Sequence, residues 1–169
     1  MNLKYIKIPF SNNSLMKEIQ VRSALLEELP ILLEFEQGII TAERPYDPTL
    51  ANDPISYYNI KELIESKNAE VIVALIDDKI IASAYAKIVK ANSYFKHSHY
   101  AYLGFMFTEP NYRGQGINQK IIKKLNLWAK SKNLNEVRLQ VYEENNSAVR
   151  AYQKVGFKKY MVTMRMEIA

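Results

Sequence analysis

Cysteine is absent from the 169 residues. That excludes disulfide scaffolds, thiolate metal sites, Cys nucleophiles and any acyl-Cys intermediate, and it fits a cytoplasmic chain. Long hydrophobic runs are absent as well. The stretch Val71–Ile76 is among the longest, far short of the ~20 residues a membrane-spanning helix needs. The N-terminus, MNLKYIKIPFSNNS, has no sustained apolar region and no small-residue cleavage site, so it reads as mature chain and no membrane attachment is expected. Solenoid-period repeats and low-complexity tracts are missing too. Glycine is scarce, at five residues against a usual ~7%, which makes each glycine's position informative.

What is present is a chain 48% hydrophobic and 24% charged. That supports a packed core and argues against disorder. The length and the lack of a compositional seam suggest one domain over residues 1–169. Net charge is +5 and unevenly spread: residues 1–108 sum to −2 and residues 109–169 to +7. A basic C-terminal part suggests contact with something anionic, such as a phosphorylated cofactor or nucleic acid. For any single lysine, a solvated helix face is the simpler reading.

Periodicity gives a coarse order of elements. A short strand is expected at Glu18–Arg22, with an extra one admitted at Tyr5–Phe10. A helix is expected over Leu25–Gln37, with Leu25, Leu29, Leu32, Leu33 and Phe35 as its apolar face and Gly38 as its stop. Residues Ile39–Tyr58 carry three prolines and read mostly as loop. Asn59–Ser66 reads as a short helix. Glu70–Ile76 and Lys79–Ile88 read as a hairpin turned by Asp77-Asp78. Lys90–His99 is polar and irregular. An aromatic strand follows at Tyr100–Thr108, and Gly116–Lys132 is an amphipathic helix with Ile117, Ile121, Leu125 and Trp128 on one stripe. Glu136–Tyr142 reads as a strand, Ser147–Val155 as a helix and Lys159–Glu167 as a closing strand. Hairpin strands followed by strand–helix–strand–helix–strand indicate an α+β mixed sheet with packed helices.

Two short places hold three of the five glycines. In the first, Pro110-Asn111-Tyr112-Arg113-Gly114-Gln115-Gly116-Ile117, a strand ends, a glycine-containing loop follows and a helix begins. A helix start exposes free N–H groups at the positive end of its dipole, and glycines let a phosphate come close. Many helices begin after glycine for turn reasons alone. No Gly-Lys-Ser/Thr follows, so this is not a Walker loop, and the third glycine of a dinucleotide fingerprint is missing. The second place is Asn145-Asn146-Ser147-Ala148-Val149-Arg150-Ala151-Tyr152-Gln153-Lys154-Val155-Gly156-Phe157. Here an asparagine can cap the helix and Gly156 can end it.

Together, these places carry a resemblance. From Tyr100 to Phe157 the chain resembles the GNAT superfamily of acyl-CoA-dependent N-acetyltransferases. Its cofactor motif (Arg/Gln, two residues, Gly, one residue, Gly/Ala) falls on Arg113, Gly116 and then Asn118. Its later motif (Asn, two residues, Ala, three residues, Tyr, three residues, Gly-Phe) falls on Asn145, Ala148, Tyr152, Gly156 and Phe157. The resemblance implies a mostly antiparallel twisted sheet with splayed central strands and helices on both faces. It also implies acetyl-CoA as co-substrate and direct acetyl transfer to a primary amine. Main-chain groups of Met106, Phe107 and Thr108 would bond the pantetheine arm. Arg113 and the backbone amides of Gly114, Gln115, Gly116, Ile117, Asn118 and Gln119 would hold the pyrophosphate. Asn145 would contact pantetheine or set the following helix, and Tyr152 would be the general acid for the CoA thiolate.

That last role suits a phenol of pKa ~10 beside a leaving thiolate. Two positions depart from the family pattern. Asn118 replaces a Gly or Ala. Gln140 stands where many members have Glu, and an amide cannot accept a proton. Glu143, Glu144 and Glu43 are candidate bases, each with a plain reading as a surface acid.

Residues 27–53 hold seven acids (Glu27, Glu28, Glu34, Glu36, Glu43, Asp47, Asp53) against one base, Arg44. In the implied fold they border the acceptor groove, where an acidic lip would attract a cationic amine. Solubility of the helix explains the same charges. His97 and His99 have no evident third partner, so no metal is expected. The acceptor is a small molecule, peptide or protein bearing an amine, and the sequence does not choose among these. Nucleic acid is disfavoured, because the basic residues spread along helices without a known motif. Small proteins of this type often dimerise, so a homodimer stays open. The competing function is a non-catalytic acyl-CoA-binding regulatory module, which Gln140 favours and Tyr152 opposes.

Overall fold

A computed structural model describes residues 18–168. Five strands form one sheet in chain order: β1 (Gln20–Ser23), β2 (Ala69–Ile76), β3 (Lys79–Lys90), β4 (His99–Thr108) and β5 (Val137–Arg138). The first three pairings are antiparallel and β4–β5 is parallel. The helices are α1 (Leu29–Glu43), α2 (Ile60–Glu65), α3 (Ile117–Ser131) and α4 (Asn146–Lys154). This is the α+β mixed sheet that the resemblance implies. Among the described residues no helix is long and apolar enough to cross a membrane.

The two helical layers follow from strand alternation. Val71, Val73 and Leu75 of β2 face Leu32, Phe35 and Ile39 of α1. Their neighbours Ile72, Ala74 and Ile76 face Ile117, Ile121 and Leu125 of α3. On the α3 side β3 offers Ala82, Ala84 and Ala86, small side chains that let the helix lie close. Asp77 and Asp78 turn β2 into β3 with φ of 48° and 62°, the two positive values a type I′ turn requires.

Five expectations need correction or restriction. Gly38 does not stop α1, which runs on to Glu43. A Cβ at Gly38 would lie 2.5 Å from Cε2 of Phe107, so this glycine marks a close approach of α1 to β4. Ile39 and Ile40 are accordingly buried in the helix rather than in a loop, while Leu25 and Leu33 point outward. The strand expected at Glu136–Tyr142 pairs only at Val137 and Arg138. Next, the strand expected at Lys159–Glu167 does not form. A strand needs an edge, and β5 offers two residues. Side-chain ion pairs hold the segment instead, Lys159 to Glu143 at 2.7 Å and Arg165 to Asp47 at 2.9 Å. The strand admitted at Tyr5–Phe10 lies outside the described residues.

The short β5 has a cause that matters for the site. Tyr85 pairs with Gly104 and Ser83 with Phe107, so Phe105 and Met106 together stand opposite Ala84. Phe105 takes φ of 57° at this bulge. A bulge bends its strand and raises its twist. Past Tyr102, β4 turns away from β5, and one edge of residues 103–108 has no strand beside it among the described residues.

Candidate active site

The end of β4 leads into a turn at Pro110–Tyr112 and then the glycine loop. Gly114 and Gly116 have φ of 78° and 75°, and a Cβ on either would meet nothing within 4 Å. Conformation rather than crowding therefore calls for glycine here. Gly116 caps α3 with no side-chain hydrogen bond. The first helical hydrogen bond runs from Lys120 N to Gly116 O at 3.2 Å. The N–H groups of Ile117, Asn118 and Gln119 thus precede the ladder, at the positive end of the dipole. The Ile117 side chain is buried in the core, so only its backbone faces the loop. Asn118 is half-buried and Gln119 exposed. Arg113 Nε donates to Thr108 O at 3.1 Å and Gln115 Nε2 to Asn111 O at 3.4 Å, which ties the loop to the end of β4. Met106, Phe107 and Thr108, all half-buried, lie where β4 has parted from β5. Phe107 packs on Phe35 with ring centroids 4.6 Å apart.

Asn145 caps α4, its Oδ1 accepting from Ala148 N at 3.1 Å. The helix then carries Tyr152 against Phe157, ring centroids 5.9 Å apart and edge-on. Burial, followed by the carboxylate of Glu43 and the phenol of Tyr102, pushes the Tyr152 phenol up to about 12. The stack of Tyr46 on Tyr142, ring centroids 6.0 Å apart, and the hydrogen bond from Tyr142 Oη to Asp47 at 3.0 Å bring the turn after α1 against the segment before α4.

Glu43 is the last residue of α1 and is half-buried. Burial pushes its carboxyl up, while Tyr57 pulls it down. The Tyr57 hydroxyl is buried without closing a hydrogen bond of its own. The Glu43 charge also raises Tyr58, Tyr102 and Tyr142, in each case after burial. Five tyrosines therefore feel one carboxylate. Two turns earlier on α1, Glu36 is 1% exposed and accepts from Tyr57 N and Tyr58 N, both at 2.7 Å, and from Ser56 Oγ at 3.0 Å. It clamps the segment that carries Tyr57 and Tyr58.

The acids of residues 27–53 thus separate by role. Glu28 pairs with Arg22, Asp53 with Arg44 at 2.5 Å, and Glu36 is the clamp. Asp47 accepts from Thr49 Oγ1 at 2.6 Å, Thr49 N at 3.0 Å, Arg165 Nη1 at 2.9 Å and Tyr142 Oη at 3.0 Å. These donors, Thr49 foremost, hold its carboxyl well below the usual range. Glu27 and Glu34 are exposed, and Glu43 is half-buried without an ion pair among the described residues. Glu143 is drawn to Lys159 and Glu144 is exposed. Gln140 accepts from Tyr102 Oη at 3.1 Å. His97 lies 3.0 Å from Glu136, and among the described residues no three His, Cys, Asp or Glu gather as a metal site. The clamp role of Glu36 escaped the sequence reading. Its signal was an acid inside the apolar stripe of α1, one turn from Leu32 and Ile40.

Comparison with known proteins agrees with this fold. Residues 36–157 match the model of the acetyltransferase (GNAT) family, and the chain belongs to that family. Thialysine N-epsilon-acetyltransferase of Sus scrofa is 44% identical over 55 residues, which is 32% of this chain and 32% of that protein; the match spans about a third of the relative. A mutant protein of Bacillus halodurans superposes with a TM-score of 0.78 at 17% identity, covering 89% of this chain and 99% of that one. A predicted acetyltransferase of Clostridium acetobutylicum, solved with acetyl-CoA, superposes at 0.66 with 19% identity, covering 89% and 96%. At these identities the structures speak to the fold.

Proposed function

We propose that the protein transfers an acetyl group from acetyl-CoA to a primary amine, with Tyr152 as general acid at sulfur and Glu43 as acceptor of the amine's proton. The observation that carries this reading is the glycine loop, shaped for a diphosphate, at the end of the parted edge of β4, together with the contacts of Tyr142 with Tyr46 and Asp47 that bring the end of α1 toward the helix carrying Tyr152. The residues fit acetyl-CoA. The loop at 113–116 and the start of α3 present N–H groups with no side chain in the way, and the parted edge of β4 can hydrogen-bond an extended arm as a strand would. When bound, acetyl-CoA supplies an activated acyl thioester. The relative that acts on thialysine supports an amine as acceptor.

The nitrogen bonds to the acyl carbon, the carbon–sulfur bond breaks, nitrogen gives up a proton and sulfur gains one. Glu43 attracts the ammonium form of the acceptor. Its raised pKa brings it nearer the operating pH, where a general base works best. Tyr152, at about 12, is protonated in essentially every molecule at neutral pH. A thiol ionises at ~8.5, well below this phenol, so Tyr152 steadies the departing thiolate by donating a hydrogen bond; any proton it passes to sulfur is restored to the phenol from solvent, and Glu43 releases the nitrogen's proton to solvent. Gln140 holds Tyr102 and takes no proton.

Calorimetric titration of CoA combined with thiol release over a panel of amines tests the reading. CoA should bind, and at least one amine should release thiol. The variant Tyr152→Phe should keep CoA binding and lose about 10²-fold or more in kcat. CoA binding with no turnover across the panel would leave the acyl-CoA-binding module, and absence of CoA binding would remove both readings.

A further inference from the structure

A second concavity, of about 790 Å³, opens where β4 begins, at the end of the strand opposite the glycine loop. Ten residues of β4 at ~3.4 Å each separate the two places by roughly 30 Å. Lys90 closes β3, Lys96 comes from the segment between β3 and β4, and Lys132 caps the end of α3; all three line the cavity, with His97 and His99 between them. No Asp or Glu lines it. The nearby Glu136 is engaged by Arg138 Nε at 2.6 Å and His97 Nε2 at 3.0 Å. Lys132 is held in place by Lys67 O at 3.2 Å. Among the described residues, neither Lys90 nor Lys96 has an anionic partner.

Three separate elements therefore place three lysines around one concavity whose lining carries no counter-charge. Gathered like charges repel, and an anion of matching charge relieves them. The rest of the polar lining includes Asn68, Asn133 and Asn135, whose amides can donate hydrogen bonds. The end of α3 contributes a partial charge of roughly −0.5, small against three lysines. The volume lies in the range of small-molecule sites, ~300–1,000 Å³.

We propose that this cavity binds a compact oligophosphate, held by Lys90, Lys96 and Lys132, at a site separate from the acetyl-transfer cleft. Phosphoryl oxygens are acceptors with dense negative charge, which a lining of ammonium and amide donors suits. The cations surround one bounded hollow, which favours a compact ligand over an extended polyanion.

Titration of inorganic tripolyphosphate into the full chain at low salt tests this. With CoA in excess to fill the glycine loop, one site is expected, weakened at least tenfold in the double variant Lys90→Ala/Lys96→Ala and unchanged in Gly116→Ala. Both lysines are exposed, so a circular dichroism spectrum like that of the parent should accompany the loss. No binding, equal binding by the double variant, or loss in Gly116→Ala would overturn the proposal. So would tighter, lysine-dependent binding of a ten-residue thymidine oligonucleotide, which would identify an extended polyanion. None of these outcomes depends on whether thiol is released from acetyl-CoA.

Discussion

The glycine loop and the first turn of α3 form a surface of backbone N–H groups, extended by the parted edge of β4. The end of α1 and residues 55–58 form a second surface, built of side chains: Glu43, Tyr57 and Tyr58, with Glu36 behind them. The first side depends on dihedral angles at two glycines and is largely indifferent to which side chains surround it. The second depends on one carboxylate and on the clamp that holds the rings near it. A backbone surface suits a ligand part that never changes, such as a diphosphate. A side-chain surface can be altered residue by residue, which suits an acceptor that differs between proteins of one fold.

Substitutions on the two sides should therefore separate in what they change. The largest effect is expected at Glu43. Glu43→Gln should lower kcat/KM by about 10²-fold with CoA affinity kept. The parent's kcat/KM should rise with pH through the raised pKa of Glu43, because the carboxylate is the working form. The variant should lack that acid limb, and a pH–rate profile with its limb intact would remove Glu43 from the role. Next comes Glu36→Ala, which strips a buried acceptor from three donors at a cost of about 3 kcal/mol. A melting temperature lower by roughly 10 °C should result, with a raised KM for amine and little change in CoA affinity. Smallest is Gly116→Ala. A left-handed alanine costs roughly 1–2 kcal/mol, so CoA titrations should show about tenfold weaker binding with KM for amine unchanged. Equal effects on both ligands from either variant would dissolve the division.

Sequence patterns reached the proposed cofactor side better than the acceptor side, for physical reasons. Glycines with a required backbone shape leave a spacing that can be read, as at Gly114 and Gly116. An asparagine cap such as Asn145 does the same, and the alternation in β2 and the stripe of α3 foretold both helical layers. The acceptor side is assembled from α1, β4, α4 and a proline-bearing segment. No local period links Glu43 to Tyr152, 109 positions later. The length of α1 was misjudged because a glycine chosen for close packing looks, in sequence, like one chosen to end a helix. The closing strand was misjudged because alternation in Tyr160, Val162 and Met164 describes only a capacity to pair, whereas pairing needs a free edge that β5 barely provides.

The contact between Gly38 and Phe107 sets more than the length of a helix. It seats the ring of Phe107, from the ribbon whose bend opens the sheet, directly on the rod that ends in Glu43. A methyl group there would act as a shim, lifting α1 from β4 and carrying Glu43 with it. If a thioester lies along β4 as proposed, the gap between it and an incoming nitrogen is gauged by a side chain that consists of one hydrogen atom.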